Sequence, residues 1–408
     1  MVTWKTLILY FGIVVFAIAF LFLGSRHVHS DLVLFQDDMS ETVEARIDNI
    51  VGIYATEMEW AQAVLIIFEA TITGGERRGE VVTAEQSVDN FLGDIFTEVQ
   101  VGDRVILTSF SGGDWFFIDF IRFNQIVILG AVFIILLLVF GRVKGLNAIL
   151  SLGFTCVAVF TIFIPSILTG RNMYLSSVIV CLYSIVVTIL IINGLNKKSL
   201  AAVTGCIGGV IAAAALTLLM NHSLNLTGIT SGESIDLLYL PLEHPIDLRA
   251  LIFAGIIIGA SGAVMDVAVS ISSALWELKI QAPNASFSDI FKSGINIGRD
   301  VMASMTNTLV LAYIGSSLTL ILLLVVHVGS LTDLFNSELV IVEMLQAIIG
   351  SMGILLAMPL TALVCAALFS RKKPLQKPDE PESILKQNSI IEDKLSEATV
   401  DYDGMDFH

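Results

Sequence analysis

Eight runs of apolar residues, each close to the length that a bilayer core demands, decide what this chain can fold into. They cover 7–23, 125–140, 146–168, 173–193, 200–220, 249–273, 301–328 and 340–369. A helix needs about 20 such residues to cross the hydrocarbon layer. Composition agrees: hydrophobic residues make up 55% of the chain and charged residues 15%, against about 25% charged in a soluble domain. Mean hydropathy is +0.83.

Loop charges orient the spans. Arg142 and Lys144 follow the second run, Lys197 and Lys198 the fourth, and Lys279, Lys292 and Arg299 lie between the sixth and seventh. Arg371, Lys372 and Lys373 follow the eighth. The intervening loops are poor in Lys and Arg near the spans, and two of them are acidic, with Glu233, Asp236, Glu243 and Asp247 in one and Asp333 and Glu338 in the other. The positive-inside bias predicts eight spans with both termini in the cytoplasm. The first run, followed by Gly24-Ser-Arg-His with no Ala-x-Ala-like site, reads as an uncleaved signal anchor over 1–24, with cleavage as the alternative.

That topology exports residues 25–120. This segment is predicted to be β-rich: residues 44–51, 63–73 and 104–108 are full of β-branched side chains, and Gly74-Gly75 and Gly112-Gly113 supply turns. Five or six short strands suggest a small OB-like barrel, an architecture that does not fix a function. The fold class expected is an all-α polytopic membrane domain over 121–370 with this small extracytoplasmic β domain inserted after the first span. Residues 371–408, rich in acid and proline, are expected to be a disordered cytoplasmic tail. The net charge of −16 argues against nucleic acid as a partner. Cys156, Cys181, Cys206 and Cys365 all fall in apolar runs without metal spacing. They read as small buried hydrophobes, and no metal or other cofactor is expected.

Two carboxylates lie where the bilayer penalises them. Asp266 is inside the sixth run and Asp300 at the head of the seventh. An ionised side chain at bilayer depth costs roughly 2.5–3.5 kcal/mol on insertion scales, so such a residue is first read as functional. Asp266, Ser270, Ser273 and Glu277 share one helical face, and so do Asn296, Asp300, Ser304 and Asn307. Thr306, Thr308 and Tyr313 extend the second stripe. Gly255, Gly259 and Gly262 form a small-residue ridge that permits close helix packing. The short loop between the two runs makes them antiparallel neighbours, with Asp266 opposite Thr306–Thr308 and the two stripes turned toward each other. Such a column of oxygen ligands suits protons and hard cations. Plainer roles stand beside this one: Asp300 could pair with Arg299 or Lys292 or cap its helix, and the hydroxyls and Asn307 could simply pack or staple helices. Residues 283–292 read as a short interfacial helix, and Gly294 and Gly298 as a break before the seventh span.

The segments Gly259–Leu278, Ser293–Asp300 and Met305–Tyr313, with Asn196–Ala202 and the Gly-rich start of the fifth span, resemble the YibE/F-like family of bacterial multi-span membrane proteins. The likeness covers about 120–370 and is densest over 255–315. One departure is visible: Ala303-Ser304 stands where the family motif has Gly-Thr. The resemblance implies an integral membrane protein of the cell envelope and supplies no substrate.

Two functional readings remain after these observations. One is a transporter or permease linked to a proton or small cation, with its polar site between the sixth and seventh spans. The other is a membrane scaffold or subunit that docks an envelope protein, or a second copy of itself, through the exported domain. An enzyme is disfavoured, because no nucleophile elbow, zincin motif or phosphate loop is present.

Overall fold

The computed structural model describes residues 4–28, 40–58, 61–89, 97–110, 113–242, 244–327 and 330–370. The expected acidic tail lies outside them. The chain divides into two compact units, one of residues 30–149 and one of 1–29 together with the chain from 150 onward.

In the first unit, β1 (Ser40–Met58), β2 (Ala61–Ile72), β3 (Val81–Asp89), β4 (Arg104–Phe110) and β5 (Trp115–Phe120) close a barrel in the order β1-β2-β3-β5-β4. All pairings are antiparallel except β3 with β5, which run parallel at Ala84↔Trp115. The expected β domain is therefore a five-stranded barrel. The long β1 pairs with β4 through Ser40–Arg46 and with β2 from Ala45 onward. Register shifts after Ile47 and Ile50 bend it so that one strand serves both neighbours. Alternation places Ala45, Ile47, Ile66, Phe68, Ala70, Ile72, Val105 and Leu107 inside, with Trp115 closing one side. Arg77 stacks over Trp115 and pairs with Glu41 at 3.2 Å.

From Phe123 the chain turns helical. Helix α2 (Phe123–Ala158) continues through a π-helical turn (Val159–Phe163) into α3 (Ile164–Leu168). Its regular backbone fails only at Arg142, with φ 48 and ψ −127. This is where the sequence places a loop between the second and third spans. The backbone leaves helical geometry there without forming a separate loop.

The second unit contains α1 (Trp4–Val28), α4 (Met173–Asn193), α5 (Lys197–Ser223), α6 (Gly232–Leu238), α7 (Leu248–Gln281), α8 (Phe287–Ser316), α9 (Leu318–His327), α10 (Leu331–Asn336) and α11 (Glu338–Phe369). Among the described residues, five helical stretches are long and apolar enough to cross a membrane: Phe123–Leu168, Met173–Asn193, Lys197–Ser223, Leu248–Gln281 and Glu338–Phe369. The apolar part of α1, Tyr10–Arg26, is shorter. The chain is an integral membrane protein.

Lipid is as apolar as leucine, so these helices associate through close packing rather than through burial from water. Helix α11 is the hub and packs on α5, α7 and α8. Its crossing with α5 runs over glycine: a Cβ at Gly209 would stand 2.7 Å from Ala357 Cβ and 3.0 Å from Gly353 O. Four of the long helices start at a side-chain cap: Asn172 for α4, Asn196 for α5, Asp247 for α7 and Ser286 for α8. Ser337, ahead of α11, makes no side-chain cap bond. Cys181, Cys206 and Cys365 are buried as expected, whereas Cys156 is exposed.

Two local expectations change. Gly294 and Gly298 do not break the chain; both lie inside α8. A Cβ at Gly294 would meet Ala362 Cβ at 2.7 Å and Leu275 Cδ1 at 2.9 Å, so these glycines serve close approach to α11 and α7 instead. The seventh run, expected as one span over 301–328, divides at Ser317 into α8 and α9. Gly315-Ser316-Ser317 has low helix propensity, and the Ser316 hydroxyl bonds back to Tyr313 O at 2.9 Å.

Candidate functional site

Helix α7 buries Ile256, Ile257, Ala260, Val264, Val267, Ile271 and Leu275 on one side. The helical period then carries its polar and small residues to the other. Gly255, Gly259, Gly262, Asp266, Ser270 and Glu277 are exposed and Ser273 is half-buried, all on one continuous face. Asp266 stands near the middle of this 34-residue helix. Among the described residues it has neither an ion-pair nor a hydrogen-bond partner.

Contacts along α8 fix its register against α7. Gly294 meets Leu275, Gly298 meets Ile271 at 3.2 Å, and the Tyr313 hydroxyl would stand 2.8 Å from a Cβ at Gly259. The helices run antiparallel, and Asp266 is level with residues 303–306. The rotation of α8 separates the sequence-derived site into two groups. Gly294, Gly298, Met302, Met305 and Leu309 form its packed side. Asn296, Asp300, Ser304, Asn307 and Thr308 are exposed on the opposite side, and Thr308 bonds its hydroxyl back to Ser304 O at 2.9 Å. The two polar stripes therefore do not face each other.

Thr306 and Tyr313 lie between these faces, both half-buried, on the edge of α8 that borders α7. The Thr306 hydroxyl is buried and has no hydrogen-bond partner. An unsatisfied buried hydroxyl costs about 1–3 kcal/mol, and its position calls for a polar ligand or water. Tyr313 reaches over the α7 glycines to Gly350 of α11, where a Cβ would stand 3.8 Å from its hydroxyl. Gly255 is approached likewise by Gln346 of α11, whose Nε2 would be 3.9 Å from a Cβ there. The glycine ridge thus floors a cleft that Tyr313 overhangs from α8 and Gln346 from α11.

Sequence reading missed the α11 side of this cleft. Glu343 is half-buried a turn and a half into α11. It lines two cavities, of about 480 and about 450 Å³, together with Ser317. The signal was present, since Glu343 is a carboxylate inside an apolar run. Its partners in space come from residues 228–237 and 313–317, far away in the chain.

The model of one protein family, described as YibE/F-like protein, matches residues 129–371. No curated protein and no solved structure matches the chain.

Proposed function

The chain belongs to the YibE/F-like family, and on that premise we propose that it is a multi-pass protein of the cell membrane that moves a proton or a small cation past Asp266. The observation that carries this reading is the pairing in depth of two unsatisfied groups. Asp266 has no partner among the described residues, and the orphaned Thr306 hydroxyl lies at the same level on the neighbouring helix. Along the same glycine ridge, the Tyr313 hydroxyl and the Gln346 amide supply further polar groups. A hard cation or a proton needs such a column of oxygens, and no covalent chemistry is assigned to it.

The proposed topology has eight spans, both termini in the cytoplasm and the barrel outside. Two groups of contacts support it. Lys197 Nζ bonds Leu368 O at 3.5 Å and Trp276 packs on Phe369, which gathers the basic loops at one end of the bundle. Glu338 bonds Thr227 and Gly228, which gathers the acidic loops at the other.

The experiment is flux in proteoliposomes containing the purified full-length chain. An imposed pH or cation gradient should dissipate faster than in empty vesicles, and the excess should disappear in Asp266→Asn. Flux equal to that of empty vesicles across protons, Na⁺, K⁺ and Mg²⁺ would reject the reading.

A second reading has its own support. Asn296, Asp300, Ser304 and Asn307 face away from α7 and α11, and a polar stripe turned to lipid is costly. A partner subunit or a second copy would cover it, as in a membrane scaffold that docks an envelope protein through the barrel. Cross-linking from a cysteine at Ser304 in native membranes separates the two readings.

A further inference from the structure

Glu343 stands where an apolar cavity meets one of mixed lining. The larger, about 480 Å³, is walled by α8, α9 and α11 and is almost wholly apolar, with Val310, Ile314, Ile321, Met344, Ile348 and Leu355 in its lining. The smaller, about 450 Å³, is of mixed lining, with Glu233, Ser234, Ser316 and Gln346 set among leucine, isoleucine and valine side chains. Ser317 and Glu343 line both. Each cavity is of ligand size. Their charged lining residues are all acidic: Glu343 in the first, and Glu233 and Glu343 in the second. Among the described residues, no lysine, arginine or histidine borders either cavity, and Glu343 has no ion-pair partner. A half-buried carboxylate at the mouth of an apolar slot, next to a hydroxyl-rich chamber, is complementary to an amphiphile with a cationic head.

We propose that the paired cavities bind a bilayer lipid whose head group ends in a primary ammonium. One acyl chain lies in the slot between α8, α9 and α11. The ammonium sits against Glu343, where an N⁺–H···O⁻ bond is strongest because the site is partly screened from water. The Ser317 hydroxyl, which borders both cavities, is a donor from which the phosphodiester can accept. Charge selects the head and the slot selects the chain, so neither a lipid with an anionic head nor a short free amine fills the site. This site stands apart from Asp266, and it does not depend on ion carriage.

The test is native mass spectrometry of the full-length protein in a neutral detergent, titrated with phosphatidylethanolamine or with phosphatidylglycerol of the same acyl chains. A saturable one-to-one adduct with phosphatidylethanolamine is expected, at least tenfold tighter than with phosphatidylglycerol. Glu343→Gln should remove that preference and Glu343→Asp should keep most of it. Ala347→Trp, which fills the slot, should weaken phosphatidylethanolamine binding at least tenfold. Millimolar ethanolamine should fail to displace the lipid. Equal binding of the two lipids overturns the proposal, as does a preference that survives Glu343→Gln in a protein of unchanged melting temperature. Full displacement by ethanolamine also overturns it, because the site would then be one for a small soluble cation.

Discussion

The carboxylate of Glu338 closes on Thr227: Oε1 accepts from the Thr227 amide at 2.7 Å and Oε2 from the Thr227 hydroxyl at 2.8 Å. The Gly228 amide adds a third bond at 2.6 Å. Residues 111 apart in the chain are joined, and the loop after α5 is fastened to the first turn of α11. Hydrogen bonds to a charged group contribute more than neutral ones. The fastened loop also carries the Gly228 and Thr230 wall of the smaller cavity beside Glu343.

Glu338→Ala should therefore free the 224–231 loop without unfolding the bundle. Limited proteolysis in detergent should show a new cut within that loop, and the melting temperature should fall by an amount equivalent to about 1–2 kcal/mol. Unchanged proteolysis would mean that other contacts hold the loop.

Glycines that look alike in the sequence divide sharply in space. A Cβ at Gly205 would collide with the Thr361 hydroxyl and stand 2.8 Å from Thr361 Cα, a backbone atom that cannot swing aside. A Cβ at Gly262 would meet nothing within 4 Å. Gly205→Ala should lower stability by about 1–3 kcal/mol, the usual range for overpacking. Gly262→Ala should leave it unchanged or raise it by about 0.5–1 kcal/mol, because glycine is the poorer helix former. Thermal unfolding of both variants in one detergent makes the comparison.

A third expectation concerns acid. At the start of α8 the Ser286 hydroxyl donates to Asp289 Oδ2 at 2.7 Å and the Ser286 amide donates to the same oxygen at 3.1 Å. In return the Asp289 amide donates to Ser286 Oγ at 3.2 Å. The Ser286 side chain first, its backbone amide next and Lys292 more weakly hold the Asp289 carboxyl below the usual carboxylate range. The folded-state pKa lies below the unfolded value of about 3.9. The cap is thus at full strength above that value and is lost as pH falls through the folded pKa. Hydrogen-exchange protection of residues 287–292, corrected for intrinsic rate, should be flat from pH 7 to 5 and should drop below pH 4. Asp289→Asn should show no such drop.

How far the sequence reaches can be judged from particular residues. Strands β1, β2 and β4 follow from runs of β-branched side chains. β3 was not legible, because Glu85-Gln86-Ser87 breaks its alternation; Gln86 is nonetheless buried, held by Thr97 O and Val99 N at 3.0 Å each. β5 was hidden by the aromatic run Trp115-Phe116-Phe117. The depth of Asp266 was readable from its position in an apolar run, and its level opposite Thr306 from the shortness of the connecting loop. The rotation of α8 was not. A polar stripe shows which residues share a face but not what that face meets, and here Gly294 and Gly298 turned the opposite face inward. Glu343 was passed over because its neighbours assemble only in three dimensions.

The last expectation returns to Asp266, where transport and packing diverge. Asparagine keeps the shape and the hydrogen-bonding capacity of aspartate but cannot ionise. If Asp266 carries an ion or a proton, Asp266→Asn should insert and melt like the parent chain and lose gradient-driven flux entirely. Thr306→Val, which removes the orphaned hydroxyl at the same depth, should keep or raise stability, because it removes a buried donor that bonds nothing. It should also weaken flux, if that oxygen is a ligand. Asp300→Asn should be milder than either, because Asp300 is exposed on the outward side of α8. If Asp266 instead fastens helices, Asn should serve almost as well as Asp. Asp266→Leu should then cost on the order of 1–2 kcal/mol, the scale of an interhelical hydrogen bond in lipid. Flux and melting temperature measured on the same preparations decide between the two. Full flux in a stable Asp266→Asn protein removes the carrier role and leaves the uncovered stripe of α8, and the partner that would cover it, as the better account.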